Sequence, residues 1–394
     1  MSDSMRLAIV QHGDYAEALD LMSRGEPEPY FGMRNSVQMI ERLCRDKPHL
    51  ILSLNAERRV VEREGGHLVG LPRPKLPDFL PTRLSTARWA RQILSVLNDF
   101  GPTRLLWRGD DFDLGARVLG RPATAGVETL VALAAYMPRG ENPYVEHSQR
   151  RMIEHLNGDN VRSVGNHRWP ATQSLIDHGL DPRKAVAYDL SDGGPPRVPD
   201  DYPVKSAPTG RWRVVFLGKV AVDKGIDDAI DAAGILADRG HPIELVVIGD
   251  GPDLEAARAR ASHFAQGVVT FLGRVGNQEA FEALLGAAVV VVPSRHRFRE
   301  GLPMSLTEAL VARTPAVVSD HPVLVRAFRE GEGVSFFPEC KPEELANRLA
   351  RLMSDAELYR DLSSSTSVAY RRVECDTTLE ELVDRWFGEL QAQA

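Results

Sequence analysis

Short apolar runs alternate with stretches of helical spacing along the whole chain. In the first half the runs are RLAIVQ (6–11), HLILSLN (49–55), TRLLWRG (103–109), VRSVGN (161–166) and KAVAYDL (184–190). Helical patterns lie between them, for example at 32–46 and 82–99. The second half is cleaner: RWRVVFLG (211–218), IELVVIG (243–249), GVVTFLG (267–273), AAVVVVPS (287–294) and TPAVVSD (314–320), each followed by helical spacing. Continuous Val/Ile runs are expected where a parallel strand is covered on both faces. The alternation therefore predicts an α/β fold with a doubly wound parallel sheet in each half. Between the halves, PPRVPDDYPVKSAP (195–208) holds five prolines in fourteen positions and reads as a linker. The expected domains are residues 1–200 and 201–375, with a short C-terminal piece at 376–394. Ligands of open α/β sheets bind beyond the carboxyl ends of the strands, so two such domains facing each other would enclose a deep cleft.

Composition narrows the class. Of 394 residues, 43% are apolar and 26% charged, close to the globular average, which excludes disordered and collagen-like chains. No apolar run reaches the roughly 18 residues of a membrane span. The start, MSDSMRLAIVQHGDY, lacks a basic n-region, a long apolar core and a cleavage site, so a soluble, unprocessed, cytoplasmic protein is expected. The net charge is −7 and unevenly placed. Residues 1–200 hold 26 basic and 26 acidic residues, which leaves 22 basic and 29 acidic for residues 201–394. Neither half is basic, against a dedicated nucleic-acid binder. Cys44, Cys340 and Cys375 are far apart and odd in number, which fits a reducing compartment and no zinc pattern. His147, His155, His167 and His178 show no ligand spacing and read as surface or core residues.

EGLPMSLTEAL (300–310) carries the most chemistry, directly after the run ending Pro293-Ser294. Pro303 suits a first helical position, where its missing N–H is no loss. The N–H groups of Met304 to Leu306 would then face an anion such as a phosphate, favoured there by the helix dipole. Gly301 allows close backbone approach. Glu300 on the loop and Glu308 in the second turn could hold sugar or ribose hydroxyls.

These residues resemble the Glu–seven residues–Glu signature of retaining glycosyltransferases of family 4, which have the GT-B fold. The resemblance runs over residues 211–355 in order, through FLGKVAVDKG (216–225), VVIGDGPD (246–253), TFLGRV (270–275) and VVVVPS (289–294). It implies a donor-binding second domain and an acceptor-binding first domain. It also implies a C-terminal helix, TTLEELVDRWFGELQA (377–392), packing back across the domains on Leu379, Leu382, Trp386 and Phe387. The implied donor is a nucleotide-diphosphate sugar, UDP- or GDP-linked, with no cofactor and no metal. Glu300 would contact the donor sugar and Glu308 the ribose. Lys224 matches the family's lysine before glycine, and Lys219 stands where the family has arginine, so it lacks the bidentate fork. Gly218, Arg274, Val275, Gly301, Leu302, Met304 and Ser305 complete the donor side. Gly249 and Gly251 read as a tight turn. Arg295, Arg297 and Arg299 lie near the expected diphosphate. Glu300 reads as a group that positions the sugar rather than as a nucleophile.

The first half matches the family poorly. His12 and Gly13, beside Gln11, end the first strand and are candidates for the acceptor side, with Arg108 after a later strand. ATAGVET (123–129) stands where the family has a cleft histidine, which would place Glu128 there as a proton acceptor. Asp110-Asp111-Phe112-Asp113 offers two readings: a metal-holding Asp-x-Asp or the N-cap of a helix. The basic helix 82–99, with Arg83, Arg88, Arg91 and Trp89, could lie on a membrane or be solvated around one packed Trp. The acceptor, whether saccharide, lipid-linked or small molecule, is not legible. Two other functions share these features: a degenerate GT-B subunit that binds only a nucleotide sugar or a partner, and a sugar-nucleotide epimerase.

Overall fold

A computed structural model describes residues 5–26, 28, 32–77, 81–140, 142–190 and 197–391. Pro195 and Pro196 of the expected linker lie outside the described residues. The chain divides into two compact units. Residues up to 26, 32–190 and 375–391 form the first, and residues 197–374 the second.

The first unit holds an eight-stranded sheet. Its strands are β1 (Leu7–His12), β2 (His49–Leu54), β3 (Arg59–Arg63), β4 (Gly66–Leu71), β5 (Arg104–Arg108), β6 (Glu128–Leu133), β7 (Val161–His167) and β8 (Ala185–Tyr188). Their order is β3-β4-β2-β1-β5-β6-β7-β8, parallel except for the β3–β4 hairpin. The sheet separates two cores because successive side chains point to opposite faces. Ala8 and Val10 join Leu50, Leu52, Trp89 and Trp107 on one side. Leu7 and Ile9 join Ile51, Met33 and Ile40 on the other. The C-terminal helix Leu379–Gln391 belongs to the second of these cores through Leu379, Leu382, Val383, Trp386 and Phe387. Its entry is fixed by Leu379 N donating to Asp189 O at 2.9 Å and Asp189 N donating to Thr377 O at 2.9 Å.

The second unit is a six-stranded parallel sheet: β9 (Trp212–Leu217), β10 (Ile243–Ile248), β11 (Val269–Gly273), β12 (Val289–Val292), β13 (Ala316–Ser319) and β14 (Val334–Phe337). Its order, β11-β10-β9-β12-β13-β14, is that of the dinucleotide-binding doubly wound fold. Every residue of β12 and β13 is buried, as a strand covered on both faces requires. In both sheets the chain reverses direction of growth beside its first strand: between β1 and β5, and between β9 and β12. These are the switch points where open α/β sheets place ligands.

The hairpin, β6 and β14 were not legible as strands. β3 is an exposed edge rich in Arg and Glu, which protects it from pairing with other chains but removes the apolar signal. β6 is masked by its neighbouring loop, read above as ATAGVET.

Two backbone turns in the second unit approach so closely that only glycine fits. Gly249 ends β10 at φ +131°, and a Cβ there would overlap the carbonyl oxygen of Gly218. Gly225, at φ +72°, likewise lies against Pro293 O. Gly249→Ala should therefore lower the unfolding free energy by about 3 kcal/mol, from strain plus overlap. Gly210→Ala, with open space around it, should be nearly neutral; urea unfolding of both variants checks the contrast.

Candidate active site

The donor-side residues gather at the carboxyl ends of β9, β12 and β13. After β9 the chain turns through Gly218 and Lys219 into a short 3-10 turn, Val222–Lys224, and then the helix Ile226–Asp238. The turn is held from the β10 side. Gly218 N donates to Ile248 O at 2.9 Å, Val220 N to Asp250 O at 3.0 Å, and Val222 N to the Asp253 carboxylate at 2.8 Å. Gly249 and Gly251 thus carry the structural role read for them. Lys219 is exposed, and no described residue pairs with it.

Lys224 points to the β12 side. Its Nζ meets Glu300 Oε2 at 2.5 Å and lies 4.5 Å from the centre of the Phe298 ring. Ser294 Oγ donates to the same Oε2 at 3.0 Å. The Glu300 side chain is 8% exposed and that of Lys224 18%. A buried ion pair persists only when its remaining polar atoms are satisfied or reserved for a ligand. Both contacts fall on Oε2, so Oε1 keeps its acceptor capacity.

The loop carrying Glu300 is latched to the end of β13. Ser319 Oγ donates to Ser294 O at 2.5 Å, and His321 Nε2 donates to Phe298 O at 2.9 Å. His321 Nδ1 accepts from Val323 N at 3.2 Å. Those two bonds require a neutral ring with its proton on Nε2. Burial pushes the His321 pKa down, assisted by the charges of His296 and Lys224, while the bond to Phe298 O and the Glu300 charge oppose the shift. His321 carried no signal in the sequence.

The helix after the loop runs Met304–Val311, with Pro303 at the N-cap, one place earlier than expected. Leu306 N donates to Pro303 O at 3.1 Å, so that amide is used within the helix and only those of Met304 and Ser305 fit an anion. Gly301 and Leu302 are buried beneath the turn. Glu308 is mostly buried, 3.6 Å from Arg197 Nη1. Arg274 is half exposed and 3.4 Å from Asp250; Val275 follows it on the loop after β11. The neighbouring arginines serve the fold instead. Arg295 pairs with Asp227 at 2.6 Å and Arg297 with Asp223 at 2.5 Å.

In the first unit, His12 and Gly13 end β1, and Arg108 ends β5. His12 sits edge-on to Trp89 at 6.4 Å, and Asn55 Nδ2 is 3.3 Å from its Nδ1. Arg108 Nη1 donates to Ser36 Oγ at 2.6 Å and Gln11 Oε1 at 3.3 Å. Glu128 is not with them. It is the first residue of β6, at the amino edge of the sheet, 3.3 Å from Arg104 and 3.6 Å from Arg162. In a parallel sheet that is the edge opposite His12 and Arg108, so the expectation placing Glu128 after a strand is corrected by strand direction.

The Asp-rich segment divides by role. Asp111 caps the helix Phe112–Val118 by accepting from Leu114 N, as the N-cap reading held. Asp113 is engaged by Arg117, Tyr144 and Ser148. Asp110 accepts from Ala134 N at 2.6 Å, and burial raises its pKa against the charges of His12, Arg108 and His167. His167, read above as surface or core, is buried at the carboxyl end of β7, 3.4 Å from Asp189, whose other oxygen meets Arg168 at 2.5 Å. Arg168 is 2% exposed with φ +61°. No spacing rule links 167 and 168 to 189.

Comparison with known proteins fits this geometry. Residues 199–367 match the family model "Glycosyl transferases group 1". The chain is 32% identical over 149 residues to the GDP-mannose-dependent alpha-(1-6)-phosphatidylinositol dimannoside mannosyltransferase of Mycobacterium tuberculosis, which spans 37% of each chain. It is 29% identical over 316 residues to the 2-deoxystreptamine glucosyltransferase of Streptomyces kanamyceticus, spanning 75% of this chain and 78% of that one. Among solved structures, HepE of Anabaena in complex with UDP covers 99% of this chain and 100% of its own, with a TM-score of 0.59 and 13% identity. At that identity the likeness speaks for the fold alone: two parallel-sheet α/β domains, the GT-B class.

Within the segment that matches the family model, the His321 latch has a pH signature. Its depressed pKa means that the latched ring is neutral while a released ring would bind a proton. The latch is therefore fully present above the ordinary histidine value near 6.5 and is lost as pH falls below it. Nucleotide binding should weaken several-fold as pH drops from about 7 to about 5.5, and this dependence should flatten in His321→Gln. Calorimetric titration of both proteins with UDP and GDP checks it, and identical profiles would discount the latch.

Proposed function

We propose that the chain is a retaining glycosyltransferase that moves a sugar from a nucleotide-diphosphate sugar to an acceptor held by the first unit. The observation that carries this reading is the buried Lys224–Glu300 pair beside the Met304–Val311 helix start, at the switch point of a group 1 domain. As the bond from the anomeric carbon to the diphosphate breaks, negative charge grows on the leaving oxygens. Preorganised positive groups stabilise that charge without reorganising. Lys224, Lys219 and the Met304 and Ser305 amides supply it, and the reading needs no metal. Glu300, its Oε2 bound by an ammonium, is a poor nucleophile. Its Oε1 is suited to orient a sugar hydroxyl, and Glu308 to hold the ribose. The diphosphate leaves with the electron pair as the acceptor oxygen bonds to carbon, and the acceptor hydroxyl's proton passes to the departing diphosphate oxygen.

The mannosyltransferase relative, named as GDP-mannose-dependent, supports the donor class. Acceptor binding falls to His12, Gly13 and Arg108 at the switch point of the first unit. No helix among the described residues is long and apolar enough to cross a membrane, and a cytoplasmic reaction is the reading adopted.

Incubation with labelled UDP- and GDP-sugars should show stabilising binding by one of them, detected as a thermal shift. Lys224→Ala and Glu300→Ala should each lower turnover by about 100-fold or more, with EDTA without effect. Unchanged donor binding and turnover in both variants would overturn the reading, and loss of turnover in EDTA would overturn its metal-free part.

A further inference from the structure

We propose that a basic groove at the carboxyl edge of the first unit's sheet binds a phosphate group, and that the acceptor carries that phosphate. The groove encloses about 370 Å³ and is lined by Arg58, Arg73, Lys75 and Arg88, with Leu71 and Pro74 as apolar wall. That volume lies within the usual range of small-molecule sites. Arg58 follows β2, and Arg73 and Lys75 follow β4. Arg88 comes from the helix Thr82–Phe100. Four cations converge from three segments, and no carboxylate is among the described lining residues.

Such an arrangement costs repulsion unless an anion fills it. The first unit's half of the chain is neutral overall, so this excess is built locally. One member is already oriented. Arg73 Nη2 donates to Thr86 Oγ1 at 2.8 Å, its Nη1 lies 3.7 Å from Asp111, and its guanidinium sits 5.7 Å from the Trp89 ring centre. Arg58, Lys75 and Arg88 are exposed and form no ion pair among the described residues. An oriented arginine fork backed by mobile cations suits a phosphate monoester or diester, whose oxygens accept several charge-assisted bonds at once.

Position links the groove to the acceptor side. Trp89 is buried in the core, its ring centre 6.4 Å from that of His12 and 5.7 Å from the Arg73 guanidinium carbon. A molecule whose hydroxyl lies by His12 could place its phosphate by Arg73. The acceptor half of this inference rests on the transferase reading above; the anion site itself does not. Two sources share this chemistry: a soluble sugar phosphate and the head group of an anionic lipid.

The test uses the full chain, and Lys75→Gln/Arg88→Gln, which alters two exposed side chains and leaves the fold intact. Inorganic phosphate and glucose 6-phosphate are titrated calorimetrically, with glucose as control. Phosphatidylinositol-containing and pure phosphatidylcholine vesicles are compared by co-sedimentation. Inorganic phosphate also suits the donor side, so the variant decides. Phosphate-bearing probes should bind about ten-fold more weakly to it, and wild-type binding should fall with salt. Preference for glucose 6-phosphate would assign a soluble acceptor, and preference for phosphatidylinositol vesicles a lipid one. Failure of every phosphate probe to bind, or equal binding by the variant, would overturn the proposal. UDP and GDP titrations run in parallel: lost nucleotide binding with intact phosphate binding would instead overturn the transferase reading alone.

Discussion

Lys224 and Glu300 stand 76 residues apart, and the buried contact between them organises the second unit's site. Burying one charge without the other would cost several kcal/mol, so each residue enforces the placement of its partner. The pair exists because two turns can approach. Gly225, in a left-handed conformation without a Cβ, lets the β9 turn lie against Pro293 at the end of β12. The Phe298 ring then covers the ammonium, and Ser294 shares the carboxylate. Ser319 and His321 fasten the same loop to β13. The cation is thus set by three strand ends rather than by one flexible side chain. That rigidity is what electrostatic stabilisation of a leaving group demands.

Charge is handled locally throughout. The half of the chain with the Met304–Val311 helix start also holds the whole net charge of −7. Its loop arginines do not relieve that excess at the site, because Arg295 and Arg297 are spent on Asp227 and Asp223. On the proposed reading a diphosphate there is held by short-range groups, which salt screens less when they are partly buried. The first unit shows the same economy in mirror image: a neutral half with a basic groove whose Arg58, Lys75 and Arg88 form no ion pair among the described residues.

The carboxyl edge of the first sheet is more polar than its pattern suggested. Arg168 is buried in a left-handed backbone conformation and held by Asp189. Such strain of order 1–3 kcal/mol persists only where surrounding contacts over-determine it. Burial opposes ionisation of Asp189, but the bond from His167 and the charge of Arg168 together hold its carboxyl below the usual range. Beside it, Asp110 is pushed the opposite way by burial. Both carboxylates feel the charge of His167, at the carboxyl edge of the same sheet.

Much of this was legible in the chain. Strand and helix are set by spacing over a few residues, so the Val-rich runs of the second half read correctly, as did the cap at Asp111. The helix start after Glu300 read to within one place for the same reason. The β3–β4 hairpin, β6 and β14 escaped, β3 because its exposed edge carries Arg and Glu in place of an apolar run. What the sequence could not decide was which distant groups meet. His321 gained its role only by reaching Phe298, 23 residues away. Glu128 lost its expected place because a strand's direction decides which edge a residue occupies. Basic residues 58, 73, 75 and 88 converge only when β2, β4 and a helix are brought together. Local periodicity fixes elements, whereas pairing of charges and the edge of a sheet are properties of contacts far apart in the chain, and those exist only in the folded molecule.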